Sequence, residues 1–135
     1  MKILLKSFAL ILLFFNGFGA LYGGLNLIYH PSGESLYMNT ALLANSPFQN
    51  YLIPGVILFV TNGVFSLLVF TAIILNYKNH AWLIIGQGII LIAWMIIQLF
   101  YIPEFNYLQL LYSFGGIFLI ILGLLLLKIE SRVSS

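Results

Sequence analysis

The 135 residues are 62% hydrophobic and 6% charged, with a mean hydropathy of +1.11. That excludes a soluble globular domain, in which roughly a quarter of residues carry charge. A net charge of +2 is too small, and its basic residues too scattered, for a nucleic-acid footprint, so no nucleic-acid partner is expected. The chain has no cysteine, which excludes disulfide exchange, thiolate ligation and cysteine nucleophiles.

Crossing a hydrocarbon core about 30 Å thick takes roughly 20 helical residues. The first apolar stretch, from about Ile3 to Tyr29, meets that length. Its first 20 residues also fit a secretory signal, with a basic start and small residues at Gly19 and Ala20. The apolar run continues through Leu21, Leu25 and Ile28, however, so it is read as a span. The segment 30–51 follows as an outer lid. Pro31-Ser32-Gly33 forms a turn, and Leu36, Met38, Leu42 and Leu43 supply an interfacial helix between Ser35 and Ala44. Ser46-Pro47-Phe48-Gln49 then has the residues of a capping box. Further spans are expected at 52–75, 81–101 and 107–127. They are joined by a tight hairpin at 76–80 and a short connection at 102–106.

Lipid cannot satisfy open backbone groups, and these runs do not alternate as barrel strands do, so the expected class is all-α. The reading is a polytopic membrane protein: one four-transmembrane-helix bundle over residues 1–135, with the lipid bilayer as its first partner. Lys2, Lys6, Lys78, Lys128 and Arg132 would all lie on one side, and Glu34 and Glu104 on the other. The positive-inside rule then places both termini in the cytoplasm.

In lipid, helices associate where small residues allow close approach and polar groups find partners. Asn16, Gly19, Gly23 and Asn26 form such a stripe on the first span, which also holds the small pair Ala20 and Gly24. Gly55, Asn62 and Ser66 do so on the second, and Gln87, Trp94 and Gln98 on the third. Gln109, Tyr112, Gly116 and Gly123 complete the set on the fourth. Gly19, Gly23, Gly55 and Gly116 are therefore the expected helix-packing positions. Asn62, Gln87, Trp94, Gln98, Gln109 and Tyr112 have two readings: a polar seam inside the bundle, or the lining of an outward-facing ligand pocket beneath the lid.

No ionisable residue falls within a span, which disfavours proton-coupled transport. His30 and Glu34 are separated by Pro31 and Gly33, which break the helix that would align them on a metal, and His80 lies on the opposite side. Ser32 or Ser46 with His30 and Glu34 would lack an oxyanion framework. Gly86-Gln87-Gly88 has no preceding strand and is no nucleotide fingerprint. Tyr77, Trp82, Tyr101 and Tyr107 fit interface-belt positions, and the Lys128–Arg132 tail reaches at most to anionic headgroups. No catalytic, metal or cofactor site is expected.

Pro31-Ser32-Gly33, the run Ser46-Pro47-Phe48-Gln49-Asn50-Tyr51-Leu52-Ile53-Pro54-Gly55, and Asn62-Gly63 resemble a family of small bacterial four-helix membrane proteins with no assigned function. Trp94, Gln98, Leu108, Gln109 and Tyr112 look like that family's third- and fourth-helix pattern. The general layout is also similar to DoxX-like proteins, although without cysteine. The resemblance implies a multi-pass protein of the bacterial inner membrane. The leading expectation is a non-enzymatic protein, self-associating or an accessory subunit of a larger membrane complex. The alternative is binding or transport of a small uncharged or lipid-like molecule in the outward-facing pocket.

Overall fold

The computed structural model describes residues 1–31, 50–101 and 107–134, with side chains described for 1–31, 50–98 and 110–130. The expected lid helix and the 102–106 connection lie outside these residues. The described chain is all-helical: α1 Lys2–Tyr29, α2 Leu52–Ile74, α3 His80–Tyr101 and α4 Tyr107–Ser134. Each helix contains a window long and apolar enough to cross a membrane. α4 runs on past Leu127 because the following residues, Lys128 to Ser134, include no glycine or proline to stop it.

Local chemistry explains where the helices begin and end. The Asn50 side chain accepts a hydrogen bond from the Leu52 amide at 3.0 Å, and Pro54 falls in the first turn, where its missing N–H costs nothing. The amide of buried Tyr51 donates to the Pro31 carbonyl at 2.8 Å, clipping the entry of α2 to the exit of α1. At the other end of α2, Asn76 adopts φ 55°, the left-handed conformation that asparagine tolerates. Tyr77 N–H reaches Ala72 O at 2.9 Å and Asn76 N–H reaches Ile73 O at 3.1 Å, the paired bonds of a Schellman stop. Lys6 of α1 donates to the Asn76 side chain at 2.9 Å.

α2 is not a uniform α-helix. Between α-helical Leu52–Leu58 and Phe65–Ile74, the residues Phe59–Val64 form a π-turn. A wider turn accommodates one extra residue, so both Asn62 and Gly63 face inward at the same level.

The four helices run antiparallel to their neighbours around the bundle. Lys6 meets Asn76 at one end of the α1–α2 pair, and Gly24 meets Gly55 near the other. Along α3 and α4, Gly123 faces Ala81 and Gly116 faces Gly88. Phe8 and Phe118 stack edge-on at 6.1 Å between α1 and α4, while Gln87 binds Asn62 between α3 and α2. All four helices contribute to an apolar core in the hairpin half: Leu5, Ala9 and Leu13; Val69 and Ile73; Ala81 and Ile84; Leu119, Leu122 and Leu126. Large apolar side chains such as Phe15, Leu68, Ile96 and Leu111 cover the outside.

Two pairs of glycines bring backbone against backbone reciprocally, and Gly123 approaches the Ala81 carbonyl, 3.0 Å from its Cβ position. A Cβ on Gly24 would lie 2.9 Å from Gly55 O, and one on Gly55 would lie 3.2 Å from Gly24 O. A Cβ on Gly88 would lie 2.7 Å from Gly116 O, and one on Gly116 would lie 3.1 Å from Gly88 O. Gly86, two residues from Gly88 on the same helix, has nothing within 4 Å of that position. Gly88→Ala therefore overpacks a rigid carbonyl and should cost about 1–3 kcal/mol. Gly86→Ala should be neutral or slightly stabilising. Thermal melts in mild detergent check this; equal melting of the two variants contradicts the close α3–α4 approach.

Candidate functional site

Among the described residues, the buried polar side chains other than His80 belong to a cluster at the level of the π-turn. Asn16 of α1 donates from Nδ2 to Ser66 Oγ at 2.8 Å and to the Asn62 carbonyl at 3.4 Å. Gln87 of α3 donates from Nε2 to Asn62 Oδ1 at 3.1 Å, and Asn62 Nδ2 donates to Thr61 Oγ1 at 3.3 Å. Thr61 in turn donates to Ile57 O at 2.6 Å. Asn62, Ser66 and Gln87 are each 0% exposed. The cluster thus ties three helices together through neutral amides and hydroxyls. It contains no titratable group, so it cannot act as a general acid or base.

One atom of this cluster is left over. Gln87 Oε1 is buried and without a hydrogen-bond partner. Flipping both amides would exchange donor and acceptor along the Thr61–Asn62–Gln87 chain, but it would leave the Gln87 nitrogen unpaired instead. The shortfall therefore belongs to the arrangement and not to the orientation assigned to one amide. Each inter-helix amide bond of this kind is worth roughly 0.6–2 kcal/mol in a membrane.

Of the residues read from the sequence as a polar seam or pocket, the structure brings Asn62 and Gln87 into direct contact. Trp94 and Gln98 are half-buried further along α3. The Tyr112 hydroxyl lies 2.9 Å from the Cβ position of Gly19, joining α4 to α1. The Gln109 side chain lies outside the described residues. Gly55 and Gly116 occupy the two backbone contacts, whereas Gly23 meets only Leu58, at an ordinary 3.5 Å. Asn26 turns its amide back onto the Tyr22 carbonyl at 2.7 Å.

Two other features were not singled out from the sequence. An open cleft of about 330 Å³ is lined by Tyr22, Leu25, Asn26, Tyr29 and His30 at the C-terminal end of α1. At the hairpin end, buried His80 approaches Glu130 of α4, and Lys2 of α1 joins them. A lone glutamate between Lys128 and Arg132 was the available signal that a partner was needed there. Among the described residues, no group of three or more His, Cys, Asp or Glu could hold a metal ion. Comparison of the chain with protein-family models, curated proteins and solved structures finds no match. The resemblance in the outer-loop signature therefore gains no support from a family model.

Asn62→Ala and Gln87→Met each strand a buried partner and should cost about 1–3 kcal/mol. The double variant should cost clearly less than the sum, because the second change removes a group already unpaired. Strict additivity in thermal or chemical unfolding contradicts the Asn62–Gln87 bond.

Proposed function

We propose that this chain is a multi-pass, non-enzymatic protein of the bacterial inner membrane that works through helix contacts, as a self-associating unit or an accessory subunit of a larger complex. The observation that carries the reading is the Asn62–Gln87 pair. These amides are fully buried and bonded to each other across α2 and α3, which supports reading the seam as packing instead of the lining of a cavity. What remains for a partner is the apolar perimeter. Apolar side chains exposed on every helix suit lipid and neighbouring helices equally.

The orientation proposed is N-terminus and C-terminus in the cytoplasm. Lys2 and Lys6 begin α1, Lys78 lies in the hairpin, and Lys128 is near the end of α4. The contacts of Lys2 with Glu130 and of Lys6 with Asn76 gather these segments at one end of the bundle. Because the chain is free of cysteine, Tyr29→Cys and Lys78→Cys each provide a unique thiol. In intact cells a membrane-impermeant thiol reagent should label position 29 and leave position 78 untouched. The reverse pattern contradicts the orientation.

The second reading is binding of a small uncharged or lipid-like molecule, and the cleft between Tyr22 and His30 is the feature that favours it. Native mass spectrometry from mild detergent separates the two readings. A defined oligomer or a co-released protein is expected. A monomer carrying a reproducible small-molecule mass would overturn the first reading and favour the cleft.

A further inference from the structure

The glycine contacts weld the helices in pairs, and they do so at opposite ends of the bundle. α1 and α2 meet backbone to backbone from the middle to the end away from the hairpin. There the Cβ position of Gly63 lies 3.2 Å from the Leu21 nitrogen, and Gly24 and Gly55 approach each other's carbonyl oxygens. α3 and α4 do so from the middle to the hairpin end, at Gly88 with Gly116 and at Gly123 with Ala81 and Ile85. Such approaches are stiff, because main chain meets main chain and no rotamer change takes up a shift.

Between the two pairs the contacts are of another kind. Phe8 stacks on Phe118, the Tyr112 hydroxyl lies against Gly19, and the hairpin-half core joins all four helices through aliphatic side chains. That core stops at Leu13, Val69 and Ile84, and the polar cluster begins one turn further on, with Asn16, Ser66 and Gln87. Here Gln87 of α3 is tied to Asn62 of α2, at the π-turn that interrupts α2. One and two turns beyond Gln87, on the same face of α3, come Leu91 and Met95, apolar side chains that can slide and change rotamer. The tie is incomplete, because Gln87 Oε1 is buried without a hydrogen-bond partner. Parting α2 from α3 at this level breaks one amide bond, but it lets water reach both amides and gives Gln87 Oε1 the donor it lacks. Loss and gain offset each other at this seam. Separation within either pair gives up main-chain packing and returns nothing.

We propose that the bundle is a hinge of two welded pairs, α1–α2 and α3–α4, latched by the Asn62–Gln87 bond. The hairpin-half core, where all four helices meet, is the pivot. The pairs part between α2 and α3 on the side of the latch away from the hairpin, and water follows as far as the two amides. The closed state is the one described above. The open state exposes the Leu91 and Met95 face of α3 without breaking either glycine weld.

Distances between spin labels on the full chain in lipid bilayers test this, with labelled protein diluted in unlabelled protein so that only separations within one chain are read. The chain has no cysteine, and exposed positions carry the labels. Leu25→Cys with Ile53→Cys spans α1–α2, Ile89→Cys with Ile117→Cys spans α3–α4, and Ile53→Cys with Ile97→Cys spans the seam. Both within-pair distances should be single and narrow. The distance across the seam should show two populations. Gln87→Leu removes the latch, so it should raise the ratio of the longer to the shorter population about threefold or more and leave the within-pair distances unchanged. A single narrow distance across the seam in the chain with Gln87 intact overturns the proposal, and that result depends on no change to the core. So does a within-pair distribution as broad as the one across the seam, or a Gln87→Leu distribution that matches its parent.

Discussion

Backbone contact at glycine is the constraint on which the rest of this bundle depends. Where the outside of a helix is as apolar as its inside, hiding oil from water does little to pull helices together, and close packing must supply the attraction. The Gly24–Gly55 and Gly88–Gly116 contacts set how near α1 lies to α2 and α3 lies to α4. At that separation larger neighbours interlock: Leu21 over Gly63, Leu67 over Gly17, and Ile85 over Gly123. The two tight pairs then meet through bulkier contacts, Phe8 on Phe118 and the core leucines of the hairpin half.

That geometry gives the polar cluster its meaning. Buried amides far from water are costly unless they find each other, and they can do so only where helices are held at a fixed distance. The π-turn in α2 brings Asn62 and Gly63 inward together, so one residue supplies the amide and the next allows Leu21 to approach. Asn16 then reaches the Asn62 carbonyl and Ser66, and Gln87 reaches the Asn62 side chain from the opposite helix. The cluster adds specificity to contacts that packing alone would leave free to slide.

The helices themselves are legible in the sequence. Uncharged runs of spanning length, interrupted by Pro31, by the Asn76–His80 segment and by Pro103, mark out the four helices, although α4 runs on to Ser134 where no glycine or proline stops it. Faces are harder to read. α1 carries small residues almost all the way round, and composition does not choose between Gly19–Gly23 and Gly17–Gly24. The shapes of Leu67, Phe59 and Gly55 on the partner helix decide it. The π-turn has no marker in Phe59-Val60-Thr61-Asn62-Gly63-Val64, because it follows from tertiary fit and not from local propensity. The His80–Glu130 contact joins residues far apart in sequence, and only the antiparallel return of α4 brings them together.

The most direct test of this account is solid-state NMR of the chain in lipid bilayers with ¹³C-labelled glycine. Gly24 with Gly55, and Gly88 with Gly116, should give through-space cross-peaks between α-carbons, while Gly86 and Gly115 should give none to other helices. Absence of both pairs of cross-peaks, with the helices intact, would contradict a bundle held by backbone contact at glycine.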